Sequence, residues 1–444
     1  MKSFKEIAMA KGINIALEYL DRDVERNLPK LVEWVELFDT EGNVKIELEA
    51  IKKTALVPGS NWHKYIMNIW DSVDLSIIKQ FFTNFIVYSN IIGKSRRLDV
   101  SKNNDCNVPW AILLDPTASC NLKCIGCWAS EYDKNTHMSL EDLDNIVSQG
   151  KEMGTFMYIF TGGEPLIRKK DIIRLCEKHN DCQFMAFTNG TLIDQEFADE
   201  MLRVKNFLPA ISLEGFRDET NSRRGEGVFE KIVDAMKILK SKRLPFGASC
   251  CYTSENTDII GSEEFFDFLI EQGCLFTWIF TYMPVGVDAV PELMVSPKQR
   301  EYMYHQVRKF RGTKPIFSMD FWNDGEFVNG CIAGGRCYLH VNANGDIEPC
   351  AFIHYSDTNI HKDTLLTAYK APFFQAYKNN QPFNSNMLRP CPLLDNPDRL
   401  EEMVTSSGAC STDLKDPENV SDLCKKCRKS AADWAVTADR LWQG

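Results

Sequence analysis

Three cysteines within eight residues are the side chains in this sequence most able to perform chemistry. Cys120, Cys124 and Cys127 follow the apolar run 111–114. A short loop brings three thiolates together with little closure entropy, so they can converge on one metal centre. Four thiolates would saturate a four-iron cluster, whereas three leave one iron open to another ligand. Structural or zinc-binding cysteines are the alternative that the spacing alone leaves open.

The composition bounds the class of protein and its compartment. The chain has 444 residues, a formal net charge of −11 and 16 cysteines. An acidic balance disfavours a broad phosphate-binding surface, so nucleic acid is not an expected substrate. The sequence has no recognisable signal peptide and no apolar run of about 18 residues, which predicts a cytoplasmic protein without a transmembrane helix. Cysteines that stay reduced in that compartment favour iron–sulfur or metal ligation over disulfides.

Short apolar runs alternate with amphipathic segments between residues 106 and 312, the predicted central domain. This alternation predicts an α/β fold with a parallel sheet and helices outside it. Six repeats are too few for a closed eight-fold barrel, so we expect a partial (β/α)6 TIM-like barrel that binds ligands at the carboxyl ends of its strands. The three cysteines follow the first strand and therefore lie at that end. The predicted strands are 111–114, 156–160, 183–187, 207–213, 246–252 and 275–282, and the predicted helices begin at Ser139 or cover 170–179, 194–204, 229–240, 263–272 and 297–310.

Two further regions flank the predicted barrel. Residues 1–105 are expected to be helical, and residues 313–444 to form a small cysteine-rich domain without further strand–helix repeats. In the first region, apolar side chains between 75 and 92 cover most of the circumference of a helix, and the basic segment 94–97 follows. Such a helix is either buried against the next domain or contacts a partner or a lipid. Burial is the expectation.

The C-x3-C-x2-C loop directly after a strand resembles the signature of the radical SAM enzymes. The resemblance extends over residues 110–290, because further motifs of that family follow in the same order. It implies that Cys120, Cys124 and Cys127 hold a [4Fe–4S] cluster whose open iron is chelated by S-adenosylmethionine (SAM). The cluster is then expected to donate an electron to SAM, which cleaves to methionine and a 5′-deoxyadenosyl radical that abstracts hydrogen from an unactivated carbon.

The resemblance also implies which residues contact SAM. Paired glycines before an acidic residue, directly after the second strand, match the family's motif for the SAM amino group. Gly126 replaces the aromatic residue that the family places before the third cysteine, so Trp128 is expected to supply the ring that packs on adenine. Arg223 is the alternative to Arg224 as the partner of the SAM carboxylate. The expected SAM contacts are Trp128, Gly162, Gly163, Glu164, Pro165, Asn189, Ser212, Glu214, Arg224, Thr253, Asn256 and Pro284.

Seven cysteines in the C-terminal region resemble the SPASM and twitch extensions of radical SAM enzymes. These extensions bind one or two auxiliary [4Fe–4S] clusters. The resemblance implies that Cys331, Cys337 and Cys350 belong to a first auxiliary cluster. The other four are expected to complete that cluster and to contribute to a second one, with a zinc site as the alternative. They are Cys391, Cys410, Cys424 and Cys427.

The resemblance implies an oxidoreductase, for which two substrate classes compete. Radical SAM enzymes with this extension act most often on peptides or proteins, so a peptide maturase is the first prediction. A lipid or other apolar small molecule is the alternative, favoured by the apolar segment 75–92 and by the absence of a recognisable peptide-binding domain in residues 1–105. A non-catalytic iron–sulfur electron carrier is a third interpretation, which the SAM motifs disfavour. A flavodoxin or ferredoxin is the expected electron donor, and peripheral membrane contact stays open.

Overall fold

A nine-stranded sheet forms the centre of the protein in the computed structural model, which describes residues 4–38, 45–130, 132–414 and 416–443. Its strands are β1 (Ala111–Leu114), β2 (Met157–Phe160), β3 (Gln183–Thr188), β4 (Phe207–Ser212), β5 (Gly247–Tyr252), β6 (Phe276–Thr281), β7 (Phe317–Asp320), β8 (Tyr338–Val341) and β9 (Ile347–Glu348). They lie in the order β7-β6-β5-β4-β3-β2-β1-β8-β9. Neighbouring strands from β7 to β8 run parallel, and β9 is antiparallel to β8. A separate antiparallel pair consists of β10 (Tyr355–Ser356) and β11 (Cys410–Ser411).

Helices precede the sheet, alternate with its strands and cover the C-terminal region. The first group comprises α1 (Phe4–Asp21), α2 (Val24–Phe38), α3 (Lys45–Lys53), α4 (Asn61–Ser72), α5 (Leu75–Phe82), a π-helix (Thr83–Ile92) and α6 (Gly93–Asn104). The second comprises α7 (Leu140–Met153), α8 (Lys169–Lys178), α9 (Gln195–Val204), α10 (Arg217–Arg224), α11 (Val228–Ser241), α12 (Thr257–Ile260), α13 (Glu263–Gln272) and α14 (Pro297–Thr313). The third comprises α15 (Gly325–Val328), α16 (Leu365–Tyr369), α17 (Pro372–Asn380), α18 (Pro397–Ser407) and α19 (Val420–Gln443), and 3₁₀ turns cover Pro165–Arg168 and Pro291–Leu293.

The predicted fold class is confirmed, and the predicted number of strands is corrected. All six predicted strands are present with ends within one residue of those expected. The Ser139 hydroxyl accepts from Asp142 N at the start of α7, and the Asp142 carboxylate accepts from Ser139 N, as the capping-box pattern predicts. The expectation that the repeat stops near residue 313 is wrong, because β7 follows α14 and β8 pairs in parallel with β1. The predicted domain boundaries stay a prediction.

The two faces of the sheet pack against different parts of the protein. Successive side chains of a strand point to opposite faces. On β2, Tyr158 and Phe160 belong to the core beneath the helices, while Met157 and Ile159 face the inside of the barrel. The inner face shares its apolar cluster with the C-terminal region. This alternation places one set of side chains in the core and the other around a central cavity.

The apolar segment 75–92 packs against the barrel, as expected. The buried Asn84 side chain donates to the carbonyl of Cys182 at 2.8 Å. Arg97 donates to the carbonyl of Gly154 at 2.6 Å, so this part of the basic segment also binds the barrel. Gly93 lies so close to Gly154 that a Cβ on it would overlap the Gly154 carbonyl. None of the helices in the described part of the chain is both long enough and apolar enough to cross a membrane.

Candidate active site

The three cysteines predicted to hold a cluster line one cavity of about 510 Å³ inside the barrel. Cys120, Cys124 and Cys127 are half-buried in the loop that follows β1. Gly162 and Gly163, which follow β2, line the same cavity. Because β1 and β2 are parallel neighbours, their carboxyl ends meet at one edge of the sheet. The fold therefore brings the cysteine loop and the paired glycines together.

Burial makes two of these thiols weak acids. It raises the pKa of Cys120 to about 11, although a hydrogen bond from Leu122 N at 3.4 Å favours the thiolate. Burial also raises the pKa of Cys124, whose Sγ lies 4.0 Å from Nη1 of the opposing cation, Arg224. Buried thiols of this kind ionise when a metal binds them. The loop is therefore better suited to ligating an iron centre than to acting as a free nucleophile.

Two glycines hold the end of β2 against the cysteine loop. Gly162 has a φ of +97°, in the left-handed region that favours glycine. A Cβ on Gly163 would overlap the carbonyl oxygen of Ser119, directly before the first cysteine. Glu164 N donates to that same carbonyl at 2.8 Å. The glycines were predicted to let a ligand approach, and in the structure they also let the backbone of the loop approach.

The Glu164 carboxylate connects three segments of the site. It is buried and accepts hydrogen bonds from Thr188 Oγ1 at 2.6 Å, Asn189 N at 2.8 Å and Leu166 N at 2.9 Å. Burial raises the pKa of Glu164, and these hydrogen bonds oppose that increase. The Asn189 side chain in turn donates to Asn121 Oδ1 at 2.8 Å. The ends of β2 and β3 are thus tied to the cysteine loop.

Glu214 forms ion pairs with two arginines at the end of α10. Arg223 Nη1 lies 2.7 Å from one Glu214 carboxylate oxygen, and Arg224 Nε donates to the other at 2.9 Å. Burial raises the pKa of Glu214, but the two guanidinium groups outweigh it and the pKa is lowered overall. Arg223 also donates to the carbonyl of Ile125 in the cysteine loop at 3.1 Å. Both arginines line the cavity, so the choice between them as the SAM carboxylate partner stays open.

Tyr282, which lies outside the cysteine loop, fills the space beside the residue before the third cysteine. Gly126 has a φ of +64°, and a Cβ there would lie 2.7 Å from the hydroxyl oxygen of Tyr282. Tyr282 follows β6 and accepts a hydrogen bond from Val290 N at 3.0 Å. The guanidinium of Arg223 lies over its ring at 5.9 Å. Sequence reasoning missed Tyr282 as a site residue, although its place at the end of the sixth predicted strand was a usable signal.

Trp128 contacts the C-terminal region. It lines the cavity, and its ring meets His340 and Phe352 in edge contacts with centroid distances of 5.9 and 5.8 Å. His340 is buried between two carboxylates, with Nε2 2.8 Å from Asp115 and Nδ1 2.6 Å from Glu348. Asp115 follows β1 directly, so this charged cluster joins the start of the cysteine loop to β8 and β9.

The predicted SAM contacts divide into cavity-lining and supporting residues. Asn256 Oδ1 accepts from Thr253 N at 2.7 Å, and the Asn256 amide donates to the carbonyl of Glu214 at 2.9 Å. These residues therefore position the Glu214 segment. The predicted contacts that line the cavity are Trp128, Gly162, Gly163, Glu164, Asn189, Ser212 and Arg224. Those outside its lining are Pro165, Glu214, Thr253, Asn256 and Pro284.

Three C-terminal thiols surround a second, smaller cavity of about 40 Å³. They belong to Cys331, Cys350 and Cys391. Burial raises the pKa of Cys391 to about 11 and that of Cys350 to about 12. The Tyr338 hydroxyl lies 2.7 Å from Cys350 Sγ. Cys337, expected to join Cys331 and Cys350, lines the main cavity instead.

The last three predicted cysteine ligands have different surroundings. Cys424 and Cys427 are buried on α19, and the charges of Cys391 and Cys424 help to raise the pKa of Cys427 beyond the effect of burial. Cys410 is exposed on β11. Within residues 4–38, 45–130, 132–414 and 416–443, no three His, Cys, Asp or Glu side chains lie close enough together to hold a single metal ion.

The donor set of the main cavity fits a [4Fe–4S] cluster with SAM beside it. Three thiols line one end of the cavity, and burial raises the pKa of two of them, Cys120 and Cys124. The backbone of Gly162 and Gly163 and the guanidinium groups of Arg223 and Arg224 line the same cavity. Either guanidinium group can pair with the carboxylate of an amino acid ligand. These features agree with the groups that the sequence implies.

Comparisons with known proteins find similarity to radical SAM enzymes. Residues 114–260 match the family model described as Radical SAM superfamily. An AdoMet-dependent heme synthase from Methanosarcina barkeri is 23% identical over 366 residues, which cover 76% of this chain and 95% of that protein. A GTP 3′,8-cyclase from Desulforamulus reducens is 29% identical over 266 residues, or 53% of this chain and 79% of that protein.

A solved structure supports the fold. Streptococcus suis SuiB bound to the precursor peptide SuiA superposes with a TM-score of 0.56 at 17% identity. The match covers 74% of this chain and 87% of that chain. A likeness at this level of identity shows the fold alone.

Proposed function

We propose that this member of the radical SAM superfamily, an enzyme whose cofactors are SAM and a [4Fe–4S] cluster, abstracts hydrogen from an apolar group bound in its barrel cavity. When bound, the two cofactors supply the one-electron chemistry that removes a hydrogen atom from an unactivated carbon. One observation carries the proposal: a single cavity has the three thiols at one end and apolar side chains over most of its remaining wall. A group bound in the apolar part therefore shares one cavity with the cofactors.

The residues of the carboxyl end have proposed roles as ligands and positioning groups. Cys120, Cys124 and Cys127 would hold the cluster, because they are the thiols that line this cavity beside the paired glycines. Arg224 would bind the SAM carboxylate, since its guanidinium borders both the cavity and Cys124. Glu214 would fix that guanidinium by its buried ion pair.

Water exclusion is the contribution of the apolar wall. Reactive carbon-centred chemistry needs a site from which water and other hydrogen donors are kept out. Trp278 and Phe280 on β6 pack against Phe187 on β3 with centroid distances of 5.3 and 5.5 Å. These rings cover the inside of the barrel next to the cofactor end.

The smaller cavity is proposed to hold an auxiliary [4Fe–4S] cluster. Cys331, Cys350 and Cys391 would be three of its ligands. Cys427, on which Cys391 acts electrostatically, or Cys424, which acts on Tyr377 together with the first three thiols, would be the fourth. Phe352 lies on the walls of both cavities. An auxiliary centre at this place could accept an electron from the substrate. A flavodoxin or ferredoxin would supply the electron for SAM cleavage.

A peptide substrate, the first prediction from the sequence, stays a prediction. Its support is the fold shared with SuiB, whose solved structure contains a precursor peptide. The alternative of an apolar small molecule is supported by the cavity itself, because the cavity wall away from the thiols consists mainly of aromatic and aliphatic side chains. The geometry favours the alternative.

Anaerobic SAM cleavage tests the proposed function. The reconstituted, dithionite-reduced protein should form 5′-deoxyadenosine from SAM, measured by liquid chromatography. Arg224→Gln should raise the KM for SAM by about tenfold or more, because it removes the proposed carboxylate partner. Arg217→Gln on the same helix is the matched control, since Arg217 pairs with Glu230 at the surface. A wild-type protein that contains the cluster but forms no 5′-deoxyadenosine would refute the proposal.

A further inference from the structure

The part of the cavity away from the proposed cofactors has a mainly apolar wall. The whole cavity, with its cofactor end included, has a volume of about 510 Å³, which lies in the range of small-molecule sites. Away from the cysteine loop, the cavity wall consists mainly of aromatic and aliphatic side chains, among them Phe85, Trp110, Met157, Phe317 and Met319. A wall of this composition binds its ligand by apolar contact and offers few groups that could form hydrogen bonds with it.

The charged side chains of the cavity are concentrated at the cofactor end and already have partners there. Glu164 accepts three hydrogen bonds from protein groups, and Arg223 and Arg224 are paired with Glu214. A buried carboxylate on a ligand needs a cation, and a buried peptide backbone needs hydrogen-bond partners. Among the described residues that line the apolar end none is a cation, and the indole N–H of Trp110 is one of few side-chain hydrogen-bond donors. A hydrocarbon group has no such requirement.

The cavity runs along the strands from one end of the barrel to the other. On β2, Met157 at the start and Thr161 just beyond the end both line it. Four residues of extended strand span about 13 Å. A ligand that fills this depth is therefore elongated along the barrel axis.

The N-terminal helices close the amino end of this space. Phe85, from the π-helix, lines the cavity and meets Trp110 edge-on with a centroid distance of 5.9 Å. Phe81 stacks on Phe85 at 5.3 Å from the preceding turn. Phe317 at the start of β7 also lines the cavity, yet it is 40% exposed and lies 6.2 Å from Trp62. The amino end therefore has a floor at Phe85 and reaches the surface at Phe317.

We propose that the apolar end binds the hydrocarbon chain of a lipid, which lies along the barrel axis with its reacting carbon toward the cysteine loop and the end of its chain against Phe85. This inference rests on the proposed function and specifies the substrate class of the same site. It gives the apolar segment 75–92 a role as the floor of the chain-binding space. Phe85 then sets the length of chain that the cavity accepts.

Binding of cis-parinaric acid, a fluorescent polyene fatty acid, tests this inference without SAM cleavage. The reconstituted protein should bind the probe, and straight-chain fatty alcohols should displace it more effectively as their length increases. Met157→Trp fills the apolar end and should raise the Kd of the probe by about tenfold or more. Phe160→Trp is the matched control, because Phe160 lies on the opposite face of the same strand and packs on Phe184 beneath the helices. The Kd of the probe for the Phe160→Trp variant should equal its Kd for the wild-type protein.

A second variant covers the case in which Met157→Trp does not fold. Phe85→Ala removes the floor and should shift the most effective competitor to a longer alcohol. Displacement of the probe by coproporphyrin or by an aromatic peptide, but not by the alcohols, would overturn the inference. So would an unchanged Kd in a folded Met157→Trp protein. Either result, obtained together with normal 5′-deoxyadenosine formation, would leave the proposed function intact and reject only the hydrocarbon chain.

Discussion

Gly126 in the cysteine loop and Tyr282 at the end of β6 share one small volume, because a Cβ on Gly126 would lie 2.7 Å from the Tyr282 hydroxyl oxygen. The loop and Tyr282 can therefore keep these positions only when the residue before the third cysteine has no side chain. The ring of Tyr282, which follows β6, fills the space beside Gly126. A side chain at position 126 would therefore require either the loop or Tyr282 to move.

Gly126→Ala is expected to weaken the binding of iron by the cysteine loop. A left-handed backbone costs a non-glycine residue about 1–2 kcal/mol, and the contact with Tyr282 adds to this. Gly227→Ala is the matched control, because Gly227 has a φ of +77° but open space around its Cβ position. The measurement is iron per chain after reconstitution and gel filtration. Equal iron loss in both variants would show that backbone strain alone, without the Tyr282 contact, explains the effect.

Stability is expected to fall as the pH rises toward 10 because of His340. Burial lowers the pKa of this imidazole, but Asp115 and Glu348 outweigh burial and raise it to about 10. The unfolded value is about 6.5, so the folded protein holds the proton more tightly. The stabilisation is complete below about pH 6.5 and is lost as the pH rises through the folded value.

Thermal unfolding between pH 6 and pH 10 checks this expectation. His340→Gln should lower the free energy of unfolding by about 3–5 kcal/mol, since it leaves two buried carboxylates without a cation. It should also flatten the fall in Tm with pH. Part of the slope should remain, because burial lowers the pKa of His354 but Asp413 outweighs burial and raises it. A slope identical to that of the wild type would contradict the assigned role of His340.

Auxiliary iron is expected to depend on Cys331 and not on Cys337. Cys331→Ser should remove the iron of the smaller cavity, whereas Cys337→Ser should keep it, because Cys337 lines the main cavity. The exposed Cys410 serves as the control, and Cys410→Ser should also keep the iron. Iron analysis and electron paramagnetic resonance of the reduced proteins measure the outcome. Loss of the same iron in Cys337→Ser, or zinc at one equivalent per chain, would refute the assignment.

The sequence predicts those parts of the fold that local patterns encode. Strands β1 to β6 are apolar runs bounded by turn residues, so their positions follow from composition alone. Strands β7 and β8 were missed because both include polar side chains and lie near glycines and asparagines. β7 pairs with β6, the strand directly before it, whereas β8 pairs with β1, far earlier in the chain, and nothing local indicates this second pairing.

The candidate site was predictable where it depends on spacing along the chain, and not where it depends on spatial neighbours. The three loop cysteines and the paired glycines are contiguous motifs. Tyr282 and the neighbourhood of Cys331 and Cys391 arise only when separate elements pack together. The same reason explains why Phe85, far before the barrel, could not be recognised as part of the cavity floor.

The most direct test of the central claim replaces all three loop cysteines at once. The variant Cys120→Ala/Cys124→Ala/Cys127→Ala should fold and retain the iron bound by the C-terminal thiols, because those thiols surround a separate cavity. It should form no 5′-deoxyadenosine from SAM under anaerobic reduction, whereas the wild type forms it. Continued formation of 5′-deoxyadenosine by this triple variant would contradict the claim that the loop after β1 holds the SAM-cleaving cluster.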